Sequence, residues 1–277
     1  MSFGKRLDAA LDARGSLCVG IDPHAALLDA WGLPDDADGL ARFADVCVEA
    51  FADVAAVVKP QSAFFERFGA AGIAVLERTI SSCRAGGALV LLDVKRGDIG
   101  STMAAYAQAY LDPAAPLASD AITVSPYLGV RALEPVFDLV AEHGTGAFVL
   151  AATSNPEGPQ VQQSRTAAGG TVAQTVVDEI AARNAGIDPL GSLGVVVGAT
   201  VEPGLLHLDE FNGPILAPGV GTQGGTADDV RRVFGSALRN VLPTVSREVL
   251  RRGPDVPALR AAAAELAGEF AFLRSSY

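Results

Sequence analysis

Leu91-Leu92-Asp93-Val94-Lys95-Arg96-Gly97-Asp98-Ile99 closes an apolar run that begins at Ala88. A continuous apolar run of this length predicts a strand buried on both faces. Charges then interrupt it. Side chains alternate along a strand, so Asp93 and Lys95 share one face, and Asp98 follows just past the strand end. Burying an unpaired ion costs several kcal/mol. A fold tolerates such a cluster when the charges pair, when they react, or both. A salt bridge closing the strand is the plainer alternative.

Outward from this stretch, short apolar runs alternate with helical patterns. The predicted strands are Leu17–Ile21, Val54–Val58, Ala88–Leu92, Ala121–Val124, Ala147–Ala151, Leu193–Val197, Ile215–Ala217 and Leu238–Val245. Between them, Leu40, Phe43, Ala44, Cys47, Val48 and Phe51 fall on one helical face, as do Ile73, Leu76, Ile80 and Cys83; another helix begins near Ser101. This alternation predicts an α/β fold, a (β/α)8 TIM barrel. An open doubly wound sheet is the alternative, weakened by the lack of a Gly-x-Gly-x-x-Gly turn after the first strand. Pro243 makes the eighth strand the weakest, because proline removes a ladder donor. The expected organisation is one barrel domain over 1–277, with an N-terminal helix, a long polar loop at about 155–170 and a closing helix at about 257–273.

The chain has 277 residues, nearly half of them hydrophobic, enough for one large core. Its net charge of −11 argues against broad nucleic-acid binding. Cys18, Cys47 and Cys83 are odd in number and sit in apolar segments, which predicts reduced core thiols and a cytoplasmic compartment. His24, His143 and His207 lack metal-ligand spacing, so no metal site is expected. No apolar secretory core follows Met1, and no run predicts a membrane span.

In a barrel of this kind the active site lies where strands end. Here those ends carry Asp22, Lys59, the Asp93–Lys95–Asp98 cluster, Ser125, Thr153-Ser154-Asn155 and Ser246-Arg247. The seventh strand runs into Pro218-Gly219-Val220-Gly221-Thr222-Gln223-Gly224-Gly225. A glycine-rich turn lets backbone N–H groups approach an anion, and Arg247 on the next strand adds a permanent bidentate cation. Together they predict a phosphate site, whereas the turn alone also fits an ordinary tight loop.

The stretch Asp93 to Thr102 resembles the signature of the orotidine 5′-phosphate decarboxylase family. So do Lys59-Pro60-Gln61-Ser62-Ala63-Phe64-Phe65-Glu66, Ser125-Pro126-Tyr127-Leu128-Gly129, Thr153-Ser154-Asn155-Pro156 and Pro218 to Gly225. The matches run in order over nearly the whole chain. The Asp-x-Lys-x-x-Asp element belongs to a wider superfamily; the Lys59 and Thr-Ser-Asn-Pro segments are similar to the longer branch of the family, whose last strand ends Ser-Arg.

The resemblance implies removal of carbon dioxide from C6 of orotidine 5′-monophosphate, giving uridine 5′-monophosphate, without metal or organic cofactor. It implies that Lys95 is the cation and proton donor at C6. Asp93 would lie against the substrate carboxylate, and Asp98 would hold Lys95 charged and oriented. In the family the second Asp comes from the partner subunit, so a homodimer with shared sites is implied. Asp22 and Lys59 would contact the ribose hydroxyls, Thr102 the ribose side from the partner chain, and Ser154 the pyrimidine edge. Gly221, Gln223 and Arg247 would bind the phosphate. Two rivals stand beside this. A magnesium-dependent sugar-phosphate decarboxylase or aldolase of the same superfamily shares the Asp-x-Lys-x-x-Asp element, but needs a carboxylate where this chain has Lys59. A non-catalytic nucleotide-binding protein would be marked by loss of a reactive residue.

Overall fold

The structure, a computed structural model, describes residues 1–221 and 224–275. Eight parallel strands close into a barrel in sequence order: β1 (Cys18–Ile21), β2 (Val57–Pro60), β3 (Leu89–Arg96), β4 (Ala121–Val124), β5 (Gly146–Ala152), β6 (Leu193–Val197), β7 (Ile215–Ala217) and β8 (Val241–Val245). β8 pairs with β1, which removes both sheet edges. Helices cover the outside, and the predicted barrel is the observed fold.

Strand parity explains the interior. Cys18, Val57, Leu91, Ala121, Phe148, Val196, Leu216 and Leu242 form one buried apolar cluster to which every strand contributes a side chain. The N-terminal helix Phe3–Arg14 closes it from below with Phe3, Leu7 and Leu11, which recur every four residues on one face. Phe3 packs edge to face on Phe148, with ring centroids 6.1 Å apart. Burying each such side chain contributes roughly 1.5–3 kcal/mol. Two residues further along their strands, the same inward parity carries Gly20, Lys59, Asp93, Thr123 and Thr244. A floor of apolar side chains thus lies beneath a ring of polar ones.

Several boundaries differ from the sequence expectation. β2 starts at Val57 because Val54 and Ala55 donate backbone hydrogen bonds to Phe51 and finish the preceding helical turn. β3 continues through its charges to Arg96. Leu238 to Asn240 belong to a 3-10 turn, so β8 begins at Val241. Pro243 pairs with Ala217, and the β1 ladder starts one residue later at Cys18–Thr244, which puts the missing donor at the ladder's edge. The 155–170 segment contains the short helix Pro159–Gln162, and the closing helix spans Val256–Glu269 before a 3-10 turn. Among the described residues no helix is long and apolar enough to cross a membrane.

Candidate active site

A cavity of about 700 Å³ opens at the C-terminal ends of the strands. Lys59, Asp93 and Lys95 meet on its floor. Asp93 Oδ2 accepts a hydrogen bond from Lys59 Nζ at 3.2 Å, and Asp93 Oδ1 accepts one from Lys95 Nζ at 2.6 Å. Thr123 Oγ1 donates to Asp93 Oδ1 at 2.7 Å and accepts the Lys95 backbone N–H at 3.0 Å. Sequence reasoning did not single out Thr123 as a site residue. Its signal was available: it lies two residues beyond inward-facing Ala121, at the end of an apolar strand.

The environment separates the three charges. Lys59 and Asp93 side chains are 8% and 7% exposed, whereas Lys95 is 45% exposed and reaches into the cavity. Burial by itself pushes the Asp93 carboxyl upward, but Lys59, Lys95 and the Thr123 hydroxyl outweigh it and hold the carboxyl at about 2. Burial likewise opposes the Lys59 ammonium; Asp93 and Asp22 outweigh it and raise its pKa. Asp93 is therefore a buried anion at neutral pH, between a buried cation and an accessible one.

Lys95 has φ of +46°, making it the single non-glycine residue with positive φ among those described. The β3–β4 register shifts between Leu92 and Arg96 to accommodate it. A left-handed backbone at a residue of this kind costs of order 1–3 kcal/mol and persists where the surroundings over-determine it.

At the neighbouring ends of β1 and β8, Asp22 Oδ1 and Ser246 Oγ are buried with no hydrogen-bond partner among the described residues. Both flank Gly20: a methyl group there would lie 3.2 Å from Ser246 Oγ, 3.3 Å from Asp22 Oδ1 and 2.8 Å from Ser246 Cβ. Gly20 is thus needed for close approach. His24, absent from the predicted site, also lines this rim, with its ring 4.2 Å from that of Phe64. Burial and the nearby Arg247 and Arg67 lower its pKa against the pull of Asp22.

Ser154 and Arg247 line the cavity as well. Arg247 is exposed and starts the short helix Arg247–Leu250 instead of ending the strand. The glycine turn reaches the cavity through Gly219 and Val220, not through Gly221. The Gly221 N–H donates to Gly225 O at 2.9 Å, and the Gly225 N–H donates to Gly219 O at 2.9 Å. The turn spends these donors on itself. Gln223 lies outside the described residues.

Asp98 and Thr102 are not among the cavity residues. Asp98 Oδ1 accepts the Ile99 N–H at 2.8 Å, and Thr102 is exposed on the helix Gly100–Leu111. Beside them the loops after β3 and β4 abut so closely that a methyl group on Gly97 would lie 2.4 Å from Ser125 O. These loops leave Ile99, Tyr127 and Leu128 exposed.

Residues 15–262 match the family model described as Orotidine 5'-phosphate decarboxylase / HUMPS family. The orotidine 5′-phosphate decarboxylase of Salinispora arenicola is 66% identical over 95% of this chain and 94% of its own length. That of Streptomyces coelicolor is 61% identical over 96% of each. A candidate orotidine 5′-phosphate decarboxylase of Streptomyces avermitilis, known from its crystal structure, superposes with a TM-score of 0.96 at 58% identity, covering 99% of this chain and 96% of the other. The polar ring on the barrel floor and these likenesses agree, and the chain belongs to the orotidine 5′-phosphate decarboxylase family.

Proposed function

We propose that this chain decarboxylates orotidine 5′-monophosphate, with Lys95 as the proton donor and Asp93, Lys59 and Asp98 as its supporting charges. The decarboxylase activity follows from family membership and from relatives of that name, one of them 66% identical. The observation that carries the residue assignment is Asp93 holding two ammonium groups, one on each carboxylate oxygen.

The chemistry follows from those charges. The bond between C6 and the carboxylate breaks, carbon dioxide leaves, and the electron pair stays in an sp² orbital at C6. That carbanion needs a cation beside it and then a proton. Lys95, accessible from the cavity, supplies both. Asp93, ionised and buried, sits where a substrate carboxylate would meet like charge, a repulsion that ends as carbon dioxide departs. Lys59 keeps Asp93 charged. The lone buried oxygen of Asp22 suits a ribose hydroxyl, Ser154 the pyrimidine edge, and Arg247 the phosphate. Gln223 completes the phosphate contacts in this reading, whereas Gly221 serves the turn that carries it. Binding the remote phosphate then helps promote chemistry at C6.

Asp98 and Thr102 enter from a partner subunit in this proposal. Their place beside exposed Ile99, Tyr127 and Leu128 supports a homodimer with shared sites. The chain works as one barrel domain in the cytoplasm, without metal or organic cofactor. A buried ammonium at Lys59 opposes the magnesium-dependent rival, whose ion requires a carboxylate there. Orotidine 5′-monophosphate loss, followed by ultraviolet absorbance with and without chelator, tests the proposal. Equal rates are expected. Activity abolished by chelator and restored by magnesium would favour the rival.

A further inference from the structure

Behind Lys95, on the far side of β3, lies a second cluster that the reaction as described does not use. Arg96 Nη2 donates to Glu66 Oε1 at 2.6 Å, and Arg96 Nε donates to Tyr110 Oη at 3.2 Å. The guanidinium carbon also lies 5.6 Å from the centre of the Tyr106 ring. Glu66 Oε1 accepts a further hydrogen bond from Ser62 Oγ at 2.6 Å. Arg96 thereby ties together the helix Ser62–Glu66, which follows Lys59, and the helix Gly100–Leu111, which follows Asp98. None of Arg96, Glu66, Tyr106 or Tyr110 lines the cavity.

The bond between Lys95 and Arg96 is where this cluster meets the site. Lys95 is left-handed, and its N–H is held by Thr123 Oγ1. On the other side, Arg96 O accepts the Ser125 N–H at 2.8 Å. A strained residue keeps its conformation where the surrounding structure over-determines it. Thr123 fixes the flank inside the barrel. On the other flank the Ser125 N–H holds the Arg96 carbonyl, and Glu66 and Tyr110 hold the Arg96 side chain.

We propose that Arg96, clamped by Glu66 and Tyr110, is a positioning residue for decarboxylation that maintains the left-handed backbone of Lys95 and so keeps its ammonium on Asp93. This rests on the reading of Lys95 as proton donor. Released from the clamp, the Lys95 backbone relaxes toward extended geometry and the ammonium moves off its mark. A misplacement of about 1 Å at a reacting group can cost roughly 100-fold in rate. Substrate binding, which uses other residues, is left intact.

The test compares Arg96→Met, Arg96→Lys, Glu66→Gln and Lys95→Ala with the parent, measuring kcat and KM for orotidine 5′-monophosphate and checking folding by circular dichroism. Arg96→Met is expected to lower kcat at least tenfold with KM changed less than threefold. Arg96→Lys, which keeps an ion pair with Glu66 but loses the guanidinium fork, should recover part of that loss. A folded Arg96→Met with parental kcat, or with the loss confined to KM, overturns the inference. If Arg96→Met does not fold, Glu66→Gln decides: kcat lowered at least threefold supports the clamp, and a smaller change overturns it. Lys95→Ala separates the two readings. Should it retain turnover within tenfold of the parent, the proton-donor reading falls and the clamp falls with it. If it is inactive while the folded Arg96 variants are parental, only the clamp falls.

Discussion

The rims of β2, β3 and β4 and those of β7, β8 and β1 bound the same cavity but are built differently. On the first, each oxygen of Asp93 holds an ammonium, and Thr123 joins the carboxylate to the Lys95 backbone. On the second, Asp22 Oδ1 and Ser246 Oγ are buried without partners among the described residues, and Arg247 is exposed. The first rim is assembled before any ligand arrives, because a buried charge left alone would cost several kcal/mol. The second has capacity to spare. Buried hydrogen-bonding atoms facing a cavity can be completed by a ligand or by water. Preorganised charge belongs where electrons move, and spare hydrogen-bonding capacity where a ligand is held. Under the proposed function, the contrast assigns chemistry to one rim and grip to the other.

The largest effect should come from the chemical rim. Lys95→Ala should lower kcat by roughly 10⁴-fold or more, since a general acid contributes about 10²–10⁴ and a local charge a comparable factor. Asp98→Ala should also be severely impaired, although Asp98 lies outside the cavity of its own chain. Mixing the two inactive variants should then recover activity, because a mixed dimer can assemble one site from two intact halves. With subunit exchange confirmed separately, no recovery would mean that each chain must complete its own rim, and the contrast would lose its partner-supplied charge.

Asp93→Asn comes next. It leaves the buried Lys59 without its anion, and breaking a buried pair costs about 3–5 kcal/mol. The pH dependence has a fixed sign. The folded Asp93 carboxyl is depressed to about 2, so its contribution is present above the unfolded value near 4 and is lost as pH falls toward 2. The depression corresponds to about 2 kcal/mol. Urea unfolding of parent and variant, at fixed protomer concentration, should show a stability gap that is constant above about pH 5 and narrows as pH falls below 4. A gap independent of pH would show that the rim is not held by the ionised carboxylate.

The same contrast separates what the sequence discloses from what it hides. The barrel was legible because apolar runs alternate with helical patterns, and parity then places Lys59 and Asp93 on one inward face. Charged residues in such runs have few reasons to be there. The left-handed Lys95 was not legible, because lysine carries no local signal for positive φ; neighbours impose it. Thr123 passed unremarked because a threonine in a strand is ordinary until its hydroxyl is seen between Asp93 and the Lys95 N–H. The gripping rim was legible only as composition. The glycine turn signals tight backbone, but not that Gly221 and Gly225 give their N–H groups to the turn itself. Asp98 and Thr102 could be found by motif, yet neither is among the described residues that line the cavity.

The smallest effect belongs to the gripping rim and sharpens the comparison most. Arg247 is exposed and lines the cavity beside Gly219 and Val220, so its truncation should scarcely change folding. A hydrogen bond to a charged group contributes roughly 1.5–3 kcal/mol, and a guanidinium can make two. Arg247→Ala should therefore lower kcat/KM for orotidine 5′-monophosphate by more than about tenfold, since ~1.4 kcal/mol is a factor of ten. A truncated substrate lacking phosphate never uses the contact and should lose almost nothing. Measuring both substrates with both proteins closes a double cycle whose coupling reports the phosphate contact alone. On the truncated substrate, which never engages Arg247, the large Lys95→Ala defect should be the same with or without Arg247. Equal losses on the two substrates would place Arg247 with the chemical rim and dissolve the division between the two sides of the barrel.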